Sequence, residues 1–219
     1  GTIYGTPTVN MTTTTFLIYG NNSGGSSVVG ISITILEQAP TITYQTDYLI
    51  LTRGEAMPSP LHAFFGGGAI ASFSITPELP DGLNFTNGTI FGTPTVNSTI
   101  VEYNITAINN GGSDYFLLNI TILEPVAILA TEETYFELIR GEDEMNLTLN
   151  NTGGMVATWE IDPELPAGLI FGNGTITGTP TVNASLATYT IWANNTGGSA
   201  NILINIRVLE PAAIITYRQ

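Results

Sequence analysis

The hexapeptide GTPTVN occurs three times in this chain of 219 residues, at 5–10, 92–97 and 178–183. Other segments recur at the same spacing: ITPELP and IDPELP at 75–80 and 161–166, and ITILE, ITILE and IRVLE at 33–37, 120–124 and 206–210. A repeat of about 86 residues has the length of one small domain. The sequence therefore predicts consecutive copies of one domain, each of which buries its own core.

Within a repeat, apolar residues recur at every second position, which is typical of half-buried β-strands. Asn-Gly pairs at 87–88 and 173–174 predict tight turns between strands. About seven short strands and no helix are expected in each repeat, so the predicted fold class is all-β, with tandem immunoglobulin-like β-sandwiches. The alternation is clearest at 31–35, 103–107, 157–161 and 202–208.

The order of short motifs along each repeat resembles that of a known family. The pattern P-x-LP-x-GL-x-F precedes NGTI-x-GTPT, an aromatic strand, N-x-GGS and a last strand. This order is similar to that of the He-PIG immunoglobulin-like domains of bacterial and archaeal proteins, which are grouped with the cadherin-like sandwiches. The resemblance implies a structural module, strung in tandem within large surface proteins. It also implies that no enzymatic activity and no catalytic residues are to be expected.

The repeats predict where the domains begin and end. Residues 1–38 are expected to form the C-terminal half of one unit, 39–124 and 125–210 two complete units, and 211–219 the first strand of a following unit. A half-sandwich at 1–38 would expose one apolar face and open strand edges. Either further residues of a longer array complete it, which is the favoured interpretation, or another copy donates a strand. Both arrangements join copies head to tail, and such a contact generates a fibre.

Composition excludes several classes of partner. The chain has four Arg, no Lys and a net charge of −14, so it repels the phosphate backbone of nucleic acids. Anionic membrane surfaces are disfavoured for the same reason. No apolar run is long enough for a transmembrane segment. The absence of Cys removes disulfides, thiol catalysis and cysteine metal sites.

Sequons for N-glycosylation are frequent, and each GTPTVN motif ends in one. Twelve sequons are roughly three times as many as this composition would give by chance. We expect N-linked glycans on them, and glycans would also keep soluble a surface that has few charges. The candidate sites are Asn10, Asn21, Asn84, Asn87, Asn97, Asn104, Asn119, Asn146, Asn150, Asn173, Asn183 and Asn194.

The acidic residues recur with the repeat, whereas a catalytic carboxylate pair has no reason to do so. They are interpreted as solvated rim or linker residues. No cofactor is expected, but calcium is an alternative, because cadherin-like sandwiches can gather carboxylates where domains join. Its candidate ligands are Glu124, Glu142, Asp143 and Glu144.

A few other residues are of types that occur in functional sites. His62 has no Ser or Cys partner pattern, so a surface or packing role is expected. The Gly run at 66–68 is expected to be a loop, because no Lys-Ser/Thr follows it. Trp159 lies at the inward phase of its strand and is predicted to be a core residue. Trp192 and its repeat partner Tyr19 lie at the outward phase, where an inter-chain contact, a sugar-stacking platform and edge coverage within the unit all remain open.

Together these observations predict a non-enzymatic, glycosylated protein outside the cell, of archaeal or bacterial type. The expected role is the shaft of a filament, a sheath or a surface stalk. The alternative is an adhesin whose units bind carbohydrate or a protein partner. The units are short and alike and carry no large insertions, which favours the shaft.

Overall fold

The computed structural model describes residues 1–217, and these residues form β-strands and no helix. In chain order the strands are β1 (Met11–Asn22), β2 (Gly25–Ile35), β3 (Pro40–Thr43), β4 (Tyr48–Thr52), β5 (Leu61–His62), β6 (Phe64–Gly67), β7 (Ser72–Thr76), β8 (Leu83–Thr86), β9 (Thr89–Gly92), β10 (Ser98–Asn109), β11 (Gly112–Leu123), β12 (Leu129–Ala130), β13 (Tyr135–Ile139), β14 (Met145–Thr148), β15 (Asn150–Asn151), β16 (Thr158–Asp162), β17 (Leu169–Gly172), β18 (Thr175–Gly178), β19 (Ala184–Asn195) and β20 (Gly198–Leu209). The all-β prediction is confirmed.

The described chain divides into two compact units. Unit 1 consists of Gly1–Leu51 and Glu55–Thr121, and unit 2 of Thr52–Gly54 and the chain from Ile122 onward. Each unit is described by itself below.

The same sheet order occurs twice along the chain. One copy has a four-stranded sheet in the order β4-β11-β10-β7, a sheet β5-β9-β8 and a pair β3-β6. The other has the orders β13-β20-β19-β16, β14-β18-β17 and β12-β15. Each copy thus has nine strands where about seven were predicted. Three of these strands, Leu61–His62, Leu129–Ala130 and Asn150–Asn151, have only two residues each, which is too short to show a period. The β1–β2 hairpin forms a two-stranded sheet of its own.

The core of unit 2 lies between its sheets. In β20 the residues Ile204, Ile206 and Val208 are buried, while the alternate residues face outward. Residues of β19, β14 and β18 pack against them, and Trp159 covers the edge of this cluster. Burying one such aliphatic side chain contributes about 1.5–3 kcal/mol to folding. The predicted inward phases of Trp159 and of β20 are therefore confirmed.

Both Asn-Gly pairs form the predicted tight turns. Asn87 and Asn173 have φ angles of 48° and 50°, and the glycines that follow have φ angles of 74° and 73°. Two consecutive positive φ angles define a type I′ hairpin turn, which asparagine and glycine tolerate best. A Cβ atom on Gly174 would lie 2.8 Å from the Trp159 ring, so glycine is also needed here for packing.

The recurrence of GTPT also has a structural reason. Its proline is fully buried in both complete copies, as Pro94 and Pro180. The threonine that follows in unit 1, Thr95, donates its backbone N–H to the carbonyl oxygen of Asp81 at 2.9 Å. A Cβ atom on Gly82 would collide with the Thr93 carbonyl group. GTPT and the LP-x-G motif therefore recur together because they pack against each other.

Candidate glycosylation and assembly surfaces

The structure places all twelve sequon asparagines where a modifying enzyme can reach at least part of the side chain. Asn119 and Asn194 are half-buried, and the other ten are exposed. They lie on outward strand positions, as Asn104 does, or in turns, as Asn87 does.

Hydrogen bonds from the side-chain nitrogen Nδ2 are rare among the sequon asparagines and common among the others. A glycan is attached to this atom, so an Nδ2 that donates a hydrogen bond within the protein is constrained. Within residues 1–217, Asn194 is the one sequon asparagine whose Nδ2 donates to a protein acceptor, Glu160 Oε1 at 3.1 Å. Four asparagines outside sequons donate from Nδ2 to backbone carbonyl oxygens: Asn109, Asn151, Asn195 and Asn205.

Two of these four occupy the same repeat position and hold the entry to a first strand. Asn109 donates from Nδ2 to the carbonyl oxygen of Gln38 at 2.7 Å, and its Oδ1 accepts the backbone N–H groups of Gly111 and Gly112. Asn195 makes the same set of bonds, with Pro125 as the carbonyl partner at 2.6 Å. Each asparagine thus closes its hairpin turn and ties it to the chain about 70 residues earlier.

The residue after each of these asparagines completes the contact. Asn110 Oδ1 accepts the backbone N–H of Glu37 at 3.1 Å, and Thr196 Oγ1 accepts that of Glu124 at 2.9 Å. In each repeat, the bond from the asparagine Nδ2 to the carbonyl oxygen and the bond from the glutamate N–H to the next side chain together form what we call the asparagine clamp. The clamp was not predicted from the sequence. The available signal was an Asn before the turn glycines that recurs in every repeat, at 22, 109 and 195, without forming a sequon.

The β1–β2 hairpin presents an apolar face that its counterparts bury. Aligning the repeats matches Phe16 with Tyr103 and Ile18 with Ile105. Phe16 and Ile18 are 41% and 42% exposed, whereas Tyr103 and Ile105 are 3% and 0% exposed. In each four-stranded sheet, the equivalent hairpin (β10–β11 or β19–β20) is flanked by a strand on each side. By contrast, β1 and β2 pair only with each other. We call the residues Phe16, Ile18, Val29, Ile31 and Ile33 the inner face of the hairpin.

Residues 211–217 resemble a first strand, but they are not packed against a hairpin. Aligning the repeats matches Ile215 with Ile42 and Tyr217 with Tyr44. Ile42 is 2% exposed, whereas Ile215 is 93% exposed. Tyr44 donates its hydroxyl hydrogen bond to the carbonyl oxygen of Gly88 at 2.8 Å, and burial raises its pKa to about 12. Residues 211–217 therefore have the sequence of a buried first strand in an exposed setting.

Glu124 differs from the expected solvated linker residue. Only 6% of its side chain is exposed, and both carboxylate oxygens accept hydrogen bonds from the Arg53 guanidinium. Its Oε1 also accepts the backbone N–H of Met155 at 2.9 Å. Hydrogen bonds from Arg53 and Met155 lower the pKa of Glu124, although burial opposes the shift. The repeat-equivalent pair Arg140–Glu210, at 2.8 Å, lies on the surface.

The calcium candidates are not gathered into a site. Within residues 1–217, no group of three or more His, Asp or Glu side chains is placed to hold a metal ion. Glu124 is bound to Arg53, and Asp143 Oδ2 accepts the backbone N–H of Ile139 at 2.6 Å.

His62 is exposed, and its Nδ1 contacts Thr89 Oγ1 at 3.1 Å. A groove in unit 2 brings no basic residue to its lining, which is Ala130, Thr131, Glu132, Glu133, Phe136, Asn146, Leu147, Thr148 and Asn150.

The two outward aromatic residues lie in different surroundings. Trp192 is half-buried in the central strand β19, with Glu160 and Asn201 directly beside it on the neighbouring strands. Tyr19 is exposed in β1, opposite Val28. Inter-chain contacts through either residue remain predictions.

Comparison with solved structures finds chains of tandem domains. A titin I-band fragment is 14% identical over 91% of this chain and 75% of that chain, with a TM-score of 0.47. The four N-terminal Ig domains of a Dscam1 isoform are 13% identical over 85% and 51%, with a TM-score of 0.49. Extracellular domains 3–5 of Drosophila OTK are 17% identical over 83% and 66%, with a TM-score of 0.39. No curated protein sequence matches the chain. None of the described residues belongs to a helix that could span a membrane.

A family model matches most of the chain. The model described as Putative Ig domain (He-PIG) matches residues 39–123 and again 129–209. These two segments carry the two copies of the sheet order and the type I′ turns described above. Domains of this fold are typically non-enzymatic. The chain therefore belongs to the He-PIG family of immunoglobulin-like domains and contains two consecutive copies of that domain.

Proposed function

We propose that the chain is a structural segment of a glycosylated filament, sheath or stalk outside an archaeal or bacterial cell, in which repeats join head to tail. The observation that carries this proposal is the inner face of the β1–β2 hairpin. The residues equivalent to Phe16 and Ile18 are buried in β10 and β19, so the same sequence pattern needs a partner layer here as well. Apolar faces of this kind on one edge-exposed hairpin favour pairing with another strand.

The two complete repeats indicate which kind of segment would cover the inner face. In both complete repeats a first strand with an alternating apolar sequence packs on the hairpin, and the asparagine clamp fixes its entry. Residues 211–217 have this sequence and lie exposed. A repeat of the same type, beginning with such a strand, therefore fits the hairpin. A joint between unlike ends does not close on itself, so it extends into a fibre.

A non-enzymatic role agrees with the distribution of reactive side chains. His62 is exposed and contacts Thr89, and the most buried carboxylate, Glu124, is bound to Arg53 and Met155. Repetition of the same short unit without large loop insertions favours a load-bearing or spacing role over a binding site on one unit. Twelve accessible sequons and few charged residues favour a location where glycans are added and retained.

Two matched substitutions test the joint. Ile18 and Leu17 are neighbours in β1 and both are exposed in the isolated chain, but Ile18 belongs to the inner face and Leu17 to the opposite one. Ile18→Asp should reduce the assembled fraction of protein in the native host, because a charge cannot be buried in the joint. Leu17→Asp should leave assembly unchanged. Equal effects of the two changes, or a native assembly in which the inner face is open to solvent, would overturn the proposal.

The mass of the native chain after denaturation decides how the repeats are connected. A mass well above 23.2 kDa plus glycans indicates that a longer polypeptide completes the hairpin. A mass of 23.2 kDa plus glycans indicates that a second copy donates its strand.

A further inference from the structure

The outward face of the four-stranded sheet in unit 1 exposes a group of apolar and aromatic side chains. The burial pattern of β10 and β11 places Tyr103, Ile105, Leu118 and Ile120 in the core, so the alternate positions face outward. On that side β11 exposes an aromatic and an aliphatic residue, and β4 does the same. We call these four residues the outer patch of unit 1: Tyr48, Ile50, Tyr115 and Leu117.

Two sequon asparagines lie within the same outward face. Asn104 is exposed in β10, and Asn119 is half-buried in β11, two residues after Leu117. Asn104 Oδ1 accepts a hydrogen bond from Thr106 Oγ1 at 3.1 Å. Neither asparagine donates from Nδ2 to a protein group within the described residues, so the nitrogen that would carry a glycan is not constrained.

Unit 2 shows what the same face is like without these sequons. The residues equivalent to Asn104 and Asn119 are Thr190 and Asn205, and neither begins a sequon. The Nδ2 atom of Asn205 donates instead to the carbonyl oxygen of Thr134.

Two of the four patch residues change together with the sequons, while Tyr135 and Leu203 keep the other two positions apolar and exposed. Glu137 replaces Ile50 and Asn201 replaces Tyr115, and Glu137 pairs with Arg207 at 3.5 Å. The apolar patch and the two sequons are thus present together in one repeat, and both are lost or reduced in the other.

We infer that Asn104 and Asn119 carry N-linked glycans that lie over the outer patch of unit 1. This inference rests on the glycosylation included in the proposed function. Sugar rings present C–H groups on their faces and hydroxyl groups at their edges, so they can cover Tyr48 and Tyr115 while remaining hydrated. The glycans then do for unit 1 what the charged and amide side chains do for unit 2.

The attachment requires a sugar activated as a polyprenyl-linked phosphate ester and a separate transferase. Nδ2 forms a bond to the anomeric carbon of the sugar. The bond from that carbon to the phosphate oxygen breaks, and the phosphate leaves with the electron pair. Nδ2 gives up one of its two protons to a base of the transferase. Asn194, whose Nδ2 is bound to Glu160, should remain unmodified and serves as an internal comparison.

Mass spectrometry of peptides from the native protein is the first test. Since the chain has four Arg and no Lys, digestion by chymotrypsin is more informative than digestion by trypsin. We expect sugar on Asn104 and Asn119 and none on Asn194. Bare peptides at Asn104 and Asn119 would overturn this inference even if other sequons are modified, in which case the proposed function would stand. Bare peptides at all sequons would overturn the glycosylation in both.

The second test concerns what the glycans cover. The double variant Asn104→Gln with Asn119→Gln, made in the native host, should bind a dye for apolar surfaces severalfold more strongly than the native protein. The control is Asn146→Gln with Asn150→Gln, which removes two glycans outside the outer patch and should not change dye binding. The variants Thr106→Ala and Thr121→Ala remove the same two sequons without altering the asparagines, and they guard against a folding defect from Asn119→Gln. Unchanged dye binding in both outer-patch variants would mean that something else, such as a second chain, covers the patch.

Discussion

Asn195 ties the hairpin turn of β19 and β20 to Pro125, because its Nδ2 donates to the Pro125 carbonyl oxygen at 2.6 Å. Asn109 does the same for Gln38 at 2.7 Å. Because the same hydrogen bond from an asparagine side chain to a carbonyl group occurs in both repeats, about 86 residues apart, it is a conserved part of the repeat structure. It fixes where a first strand begins, which the short strands β3 and β12 could not do alone.

The asparagine clamp predicts the effect of removing one donor. Asn195→Asp keeps the size and the acceptor oxygens but loses the Nδ2 donor, so the carbonyl oxygen of Pro125 is left without it. We expect a loss of about 1–3 kcal/mol in the free energy of unfolding of unit 2. Both Trp residues, Trp159 and Trp192, lie in unit 2, so tryptophan fluorescence during urea denaturation reports on this unit.

The control for this change is Asn201→Asp. Asn201 is exposed in β20, and its side chain has no hydrogen bond to a protein group within the described residues, so this substitution should leave the urea midpoint nearly unchanged. Equal shifts for the two variants would mean that the clamp does not stabilise the unit.

Leu169 provides the test of the core. It is buried among the apolar side chains of unit 2, and Leu169→Ala removes three carbon atoms from that cluster. The expected loss in the free energy of unfolding is about 2–5 kcal/mol. Asn183→Gln, on an exposed turn, should leave the same fluorescence transition in place. If the two variants ranked the other way, the assignment of inside and outside would be wrong.

Glu124 predicts a pH dependence. Its pKa is lowered in the folded state by Arg53 and Met155, so the ionised form stabilises unit 2 above the ordinary pKa of a glutamate. That contribution is lost as the pH falls through the lowered pKa of the folded state. At pH 7, Glu124→Gln should therefore reduce the free energy of unfolding, and the difference from the native protein should shrink under acid conditions. Urea denaturation at a series of pH values measures it.

The surface pair gives the matched control. Glu210→Gln removes the repeat-equivalent carboxylate from Arg140, but this pair is exposed and screened by solvent. We expect a much smaller change at pH 7. A pH-independent effect of Glu124→Gln would contradict the role given to its charge.

The turn sequons lead to a chemical prediction. Asn87 and Asn173 precede glycine in type I′ turns and are exposed. An Asn-Gly pair is prone to deamidation, and a glycan on the amide nitrogen would protect it. Peptides that contain these residues should carry sugar in native material. Bare and deamidated peptides at both positions would contradict the prediction.

Local sequence patterns predicted much of this fold, but not the contacts between distant residues. The alternation in β20 and the Asn-Gly turns depend on neighbours along the chain, so the inward phase of Ile204 and the turn at Asn173 followed directly. Burial of Glu124 depends on Arg53, which lies 71 residues away, and Asn109 reaches Gln38 over the same separation. A single sequence does not show which distant residues pair. The recurrence of the same residues in each repeat did indicate that these positions have a shared role.

The last prediction extends the asparagine clamp to the β1–β2 hairpin. Asn22 and Ser23 occupy the positions of Asn195 and Thr196, and Asn22 Oδ1 already accepts the backbone N–H of Gly24 at 2.8 Å. Where the first strand of a unit, from further chain before the hairpin or from another copy, completes the hairpin, Asn22 Nδ2 should donate to the carbonyl oxygen of the residue equivalent to Pro125. Ser23 Oγ should accept the backbone N–H of the residue equivalent to Glu124, which precedes that residue in the chain.

Hydrogen exchange of native assembled material can detect this clamp. Asn22→Asp should lower the protection of the amide hydrogens in β1 and β2, because the donor that holds the neighbouring strand is lost. Asn21→Gln is the control: Asn21 lies outside the clamp, and its substitution removes only a sequon and the hydrogen bond from Ser26. Ser23→Ala removes both the sequon of Asn21 and the clamp acceptor, so it should resemble Asn22→Asp more than Asn21→Gln. Native protection in Asn22→Asp, or an equal loss in Asn21→Gln, would show that the hairpin is completed in some other way.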